Sequence, residues 1–244
     1  MKIKLILAWR NTLTRVWTPV GMLKYENDKY IFNYTKGAEV ENFTPFGQMS
    51  DIKKIYESET LFPIFLNRLL SKNRPEYKDY LNWLDIEKDE NNDLLELSIS
   101  RGIRATDDLQ LFPFPEKNED GNYEVKFFSH GISHISKNYI DRLLSLSINE
   151  KLLIVHDLQN KFDENALLLR TEKDPIELLG FCPAFFVNDF NKLLKQNGNE
   201  NVDVFVHKIN EKAPIQLKLL CKIITKWPVN FTPFDDDTFK SIIN

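Results

Sequence analysis

Gln159-Asn160-Lys161-Phe162-Asp163-Glu164-Asn165-Ala166 interrupts two apolar runs, Lys151 to His156 and Leu167 to Arg170. The runs have the length and aliphatic content of strands in a packed sheet, whereas a stretch of charged and amide side chains around one phenyl ring cannot be a buried strand. The stretch is therefore a polar elbow between rigid walls. Asn and Asp suit such an elbow because their short side chains bond nearby backbone amides and tolerate unusual φ. On composition alone a plain capped turn accounts for Asn160, Asp163 and Asn165, and Phe162 reads equally well as a ring tucked under it.

Outward from the elbow the pattern stays that of a small sheet. Strands are expected at Tyr123 to Phe128, Leu152 to His156, Ala166 to Thr171, Ile176 to Phe181, Val202 to Ile209 and Ile215 to Thr225, with a helical stretch at Lys137 to Leu146. A second helix is expected from Ala184 to about Gln196, with Phe185, Phe186, Phe190, Leu193 and Leu194 inward and Gly198 just beyond its end. Six short strands with one or two helices suit a small OB-like β-barrel.

The N-terminal part has a different rhythm. Lys2 to Ala8 alternates, and Val20 to Tyr25 and Lys29 to Tyr34 flank the turn Glu26-Asn27-Asp28, which predicts a hairpin with Tyr30, Phe32 and Tyr34 on one face. From Asp51 the period becomes helical, through Leu61, Phe65, Leu66, Leu69 and Leu70, and again through Tyr77, Tyr80, Leu81 and Leu84 after Pro75. The run Glu87 to Asp93 reads as a solvated loop, and Leu95, Leu97 and Ile99 alternate as a strand. Arg101-Gly102-Ile103-Arg104 reads as an exposed turn or as two cations for a phosphate or carboxylate. The fold class is α+β: residues 1–90 form a small sheet with helices, 91–122 a connecting strand and linker ending in the turn Asn118 to Asn122, 123–226 the barrel, and 227–244 a surface tail.

Composition narrows the function. The net charge is −4, which argues against a broad electrostatic grip on duplex nucleic acid, but residues 125–230 carry 14 Lys and Arg against 12 Asp and Glu. A mildly basic barrel fits a short strand end. Cys182 and Cys221 sit in apolar contexts without CxxC spacing and read as core thiols of a reducing, cytoplasmic compartment, and no apolar run reaches the length of a membrane span. His130, His134, His156 and His207 form no HExxH pattern, and phosphate-binding, dinucleotide and nucleophile-elbow glycine motifs are absent, so neither metal, cofactor nor catalytic constellation is expected.

Asn160, Asp163, Asn165 and Ala166, followed by Gly180, Phe181 and Pro183 before a helix and preceded by Gly131-Ile132-Ser133-His134, resemble the HIRAN domain over about a hundred residues. In that family an aromatic-Asp pair at this place binds the 3′ end of single-stranded DNA. The resemblance thus implies a non-enzymatic DNA-end sensor with Phe162 stacking a base and Asp163 accepting the terminal hydroxyl. Asn160, Lys161 and Asn165 would supply donors or hold the elbow. The family's Arg-Tyr-Tyr stretch aligns with Ser133-His134-Ile135, where the arginine is missing. Pro19-Val20-Gly21-Met22-Leu23 and Leu61 to Leu70 are similar to the N-terminal subdomain of HipA-type proteins, although Ser71-Lys72 stands where that family has Pro and an acid. That similarity implies an alternative: an antitoxin-like module docking on a separate HipA-type serine/threonine kinase through Phe62, Phe65 and Arg68.

Overall fold

The computed structural model describes residues 3–87, 92–135, 138–161 and 163–243. The chain is mixed α+β with two antiparallel sheets, and it divides into two compact units. The first comprises Met1–Asn82, Ile86–Phe114 and Phe234–Asn244; the second comprises Trp83–Asp85 and Pro115–Pro233. Among the described residues no helix is long and apolar enough to cross a membrane.

In the first unit β1 (Lys4–Arg10), β2 (Trp17–Glu26), β3 (Lys29–Tyr34), β4 (Tyr56–Ser58) and β5 (Leu109–Pro113) form one sheet in the order β4-β3-β2-β1-β5. Asn27 and Asp28 both take positive φ, 52° and 59°, the twist a two-residue hairpin turn requires. Phe32 and Tyr34 are fully buried on one face of β3 together with Phe65, Leu5, Leu7 and Leu23. Tyr34 keeps its hydroxyl satisfied there, donating to the Met49 carbonyl at 2.7 Å and accepting from the Phe46 amide at 2.9 Å.

Three helices accompany this sheet: α1 (Pro63–Leu66), α2 (Tyr77–Trp83) and α3 (Asp93–Ser100). Leu95, Leu97 and Ile99, whose alternation predicted a strand, thus lie in a helix. Leu94 and Leu97 are the buried pair, three apart as a helix face requires, and Asn92 caps the start by accepting from the Leu95 amide at 2.7 Å. The helical run expected from Asp51 is shorter than its periodicity suggested, because β4 occupies Tyr56–Ser58 and α1 is a single turn. The expected surface tail is also packed. Phe234 stacks on Phe239 at 4.7 Å and meets the edge of Phe112 at 5.4 Å, while Thr35 bridges Ser241 within the first unit.

The second unit holds β6 (Asn122–Phe128), α4 (Ile132–Ile135), α5 (Tyr139–Leu144), β7 (Lys151–His156), β8 (Leu167–Thr171), β9 (Leu178–Phe181), α6 (Ala184–Asn197), β10 (Asp203–Ile209) and β11 (Leu219–Lys226). Its curled six-stranded sheet runs β6-β11-β10-β7-β8-β9. A 3-10 turn takes Ile215–Leu217, so β11 starts four residues later than its apolar run. On α6 Phe186 and Phe190 stack at 5.5 Å, and Phe190 meets Phe127 of β6 at 5.5 Å. Trp227 and Phe231 extend this core onto Tyr123, at 5.9 and 5.7 Å.

Candidate nucleic-acid interface

The elbow is a chain of side-chain caps. The Asp157 amide donates to the Ala166 carbonyl at 2.9 Å and closes the loop across β7 and β8. The Asp157 carboxylate accepts from the Gln159 amide at 3.3 Å and from Asn160 Nδ2 at 3.1 Å; Asn160 Oδ1 accepts from the Asp163 amide at 3.0 Å; Asp163 Oδ1 accepts from the Asn165 amide at 2.9 Å. Three of these bonds satisfy backbone donors that no ladder reaches, the amides of Gln159, Asp163 and Asn165. Asn160 is a structural brace. Asp163 is half-buried with Oδ2 outside these bonds, and Lys161 and Asn165 are exposed. Phe162 lies outside the described residues. Asp157, the first brace, escaped the sequence reading because it ends an apolar run.

The edges of the curled sheet meet beside this loop. The His130 amide donates to the Phe181 carbonyl at 3.0 Å and the Phe181 amide returns a bond to His130 at 2.7 Å, linking the chain after β6 to the end of β9. The Cys182 amide donates to the Leu167 carbonyl at 2.8 Å, and Leu168 is the register partner of Phe181. One rung therefore runs Leu168, Phe181, His130. It brings the start of β8 with the elbow, the Gly180 to Pro183 segment and the Gly131 to His134 segment to one rim. Gly180 makes the seam sterically possible: at φ 108°, a Cβ would stand 2.5 Å from the His130 carbonyl oxygen and 2.2 Å from Ser129 Oγ. Gly131, at φ 68°, turns the chain into α4, where Ser133 and His134 are exposed.

The rim is not a cationic funnel. Between 157 and 166 three carboxylates, Asp157, Asp163 and Glu164, face one lysine, Lys161. Its chemistry is acceptor-rich, suited to hydroxyl or amine donors more than to a run of phosphates.

Other predicted residues fall elsewhere. Phe65 is fully buried, Phe62 packs against Phe32 and Phe65 at 6.5 and 6.2 Å, and Arg68 is buried, donating to the Gly102 carbonyl at 2.8 Å and pairing with Asp107 at 2.6 Å. Phe65 and Arg68 hold the first unit together and present no docking surface. Arg101 likewise is buried at the left-handed cap of α3, where burial pushes its guanidinium down to about 10. Burial pushes both thiols, Cys182 and Cys221, well above their usual range, which leaves them unreactive.

His207 and Lys126 converge on Asp85, with Nε2 and Nζ at 2.6 and 2.7 Å. Partial burial of Asp85 opposes its ionisation, but the hydrogen bonds from Lys126 and His207 prevail and hold its carboxyl down to about 2. A groove of about 520 Å³ lies at the opposite end of β7 and β8 from the elbow, between residues 145–150 and 171–177. Among the described residues no group of three His, Cys, Asp or Glu side chains is placed to hold a metal ion.

No family model and no curated protein matches the chain. A solved structure of a protein from Lactobacillus plantarum aligns with 43% of this chain and 99% of its own, at 15% identity and a TM-score of 0.31.

Proposed function

We propose that the second unit is a small OB-like barrel that binds the 3′ end of single-stranded DNA at this rim, as a non-enzymatic sensor or regulatory module. The supporting observation is the rung through Leu168, Phe181 and His130, which gathers the three separated HIRAN-like segments at one end of the sheet. Asp163 accepts the terminal 3′-hydroxyl through Oδ2 while Oδ1 keeps its bond to the Asn165 amide. A 3′-phosphate sets like charges against each other and is rejected. Phe162 stacks the last base, and Lys161, Ser133 and His134 supply donors to its phosphate. Asn160 and Asn165 keep the elbow in shape.

Fluorescence anisotropy with labelled oligonucleotides ending in a free 3′-hydroxyl, a 3′-phosphate or a blunt duplex tests this reading. The free hydroxyl should bind about tenfold tighter, equivalent to about 1.4 kcal/mol. Asp163→Asn, which retains the acceptor for the Asn165 amide, should admit the 3′-phosphate, and Asp163→Ala should lose the preference altogether. Equal affinity for all three ends in the unaltered protein overturns the proposal.

A further inference from the structure

Four residues on the outer face of the six-stranded sheet stand in one transverse row. Lys126 on β6 is the register partner of Lys222 on β11, Lys222 of Phe205 on β10, and Phe205 of Lys151 on β7. Their strand neighbours Val125, Phe127, Cys221, Ile223, Val204, Val206 and Leu152 are buried, so by alternation all four face outward. The row crosses four strands and spans about 14 Å.

Two features set this row apart from an ordinary solvated face. Lys126 and Lys222 are directly opposed, an unfavourable pairing in a sheet, and a half-buried phenyl ring sits on the water side between two lysines. Each lysine is paired with one partly exposed carboxylate, and Asp85 is shared between Lys126, Lys208 and His207. Lys222 lies 3.6 Å from Glu124, Lys151 2.8 Å from Asp203 and Lys126 2.7 Å from Asp85, with lysine side chains 29 to 33% exposed. Surface pairs of this kind contribute little, so a phosphate replaces a carboxylate at small cost. The bulge between Val206 and Lys208 turns both His207 and Lys208 toward Asp85, at 2.6 and 3.6 Å, so Lys208 adds a second cation at the Lys126 end.

We propose that this row is a second contact for single-stranded nucleic acid, with Phe205 stacking a base and Lys126, Lys222 and Lys151 taking successive phosphates. It rests on the nucleic-acid reading of the second unit but not on the Asp163 pocket. A flat ring among cations along one line meets the two needs of sequence-tolerant strand binding, a stacking platform and a charged track.

The test compares oligothymidylates of about three and about twelve nucleotides by anisotropy over a range of salt concentrations, with Phe205→Leu, Lys222→Gln and Lys126→Gln. Circular dichroism and urea midpoints confirm that each variant is folded. The longer strand should bind Phe205→Leu about tenfold more weakly, and each lysine variant should lower its salt slope by about 0.7. The preference for a free 3′-hydroxyl, which the Asp163 pocket carries, should be unaffected. Unchanged binding of the longer strand by folded variants overturns the row, even where Asp163→Ala still abolishes end preference. Weakened binding with no discrimination among 3′ ends keeps the row and removes the pocket, and no binding of any oligonucleotide removes both.

Discussion

A Cβ at position 180 would meet the His130 carbonyl oxygen at 2.5 Å, backbone that cannot swing aside, and φ at 108° is strained for any side chain. Gly180→Ala should therefore destabilise the second unit by about 2–4 kcal/mol, read as a lower urea midpoint, whereas Gly47→Ala, with open space around it, should be close to neutral. Asn160 and Asp163 were legible from sequence as turn formers because their chemistry is local: each caps an amide two or three residues on. Asp157 and the His130–Phe181 link were not, since the first looks like the polar end of a strand and the second joins residues 51 positions apart. Phe65 and Arg68 show the converse, residues that a family resemblance implied as part of a docking face and that are core.

Elements with a strong local signal were readable to within a residue or two: the hairpin at Asn27-Asp28, β7, β8 and α6 with Gly198 at its end. Stretch 93–100 was not, because Leu94, Leu95, Leu97 and Ile99 satisfy both a two-residue and a three-residue spacing. The cap decides between them. Asn92→Ala removes the acceptor for the Leu95 amide and should cost the first unit about 1 kcal/mol, while Asn92→Asp should retain most of its stability; thermal unfolding of both variants checks this. β4 and β5 escaped notice as short edge strands, the latter ending at Pro113, a residue that edges tolerate and sheet interiors do not.

At the scale of the molecule the two units answer acid in opposite ways. In the second, Asp85 is held down to about 2, so its contribution is complete above its unfolded value near 3.8 and is lost as pH falls toward 2. With the carboxylate about 33% exposed and partly screened by water, that contribution is on the order of 1 kcal/mol. In the first unit Glu96 is buried, and burial raises its pKa against the bonds it accepts from Tyr77 and Leu70. A raised carboxyl favours the fold below its unfolded value and loses that advantage as pH rises through its folded value. Acid titration should thus find Asp85→Asn flattening the decline between pH 4 and 2 for the second unit, and Glu96→Gln raising the melting temperature of the first at pH 7; the reverse pattern contradicts both assignments. The chain path adds an order in time. Nearly all of the second unit is one continuous span, Pro115–Pro233, whereas the first is completed only by Phe234–Asn244. As the polypeptide leaves the ribosome, the later-made unit can finish folding before the earlier-made one, whose Phe112 waits for Phe234 to cover it. A nascent chain stalled before that phenylalanine emerges would hold a finished sheet at its C-terminal side and an apolar wound at its N-terminal side, the state a chaperone would grip.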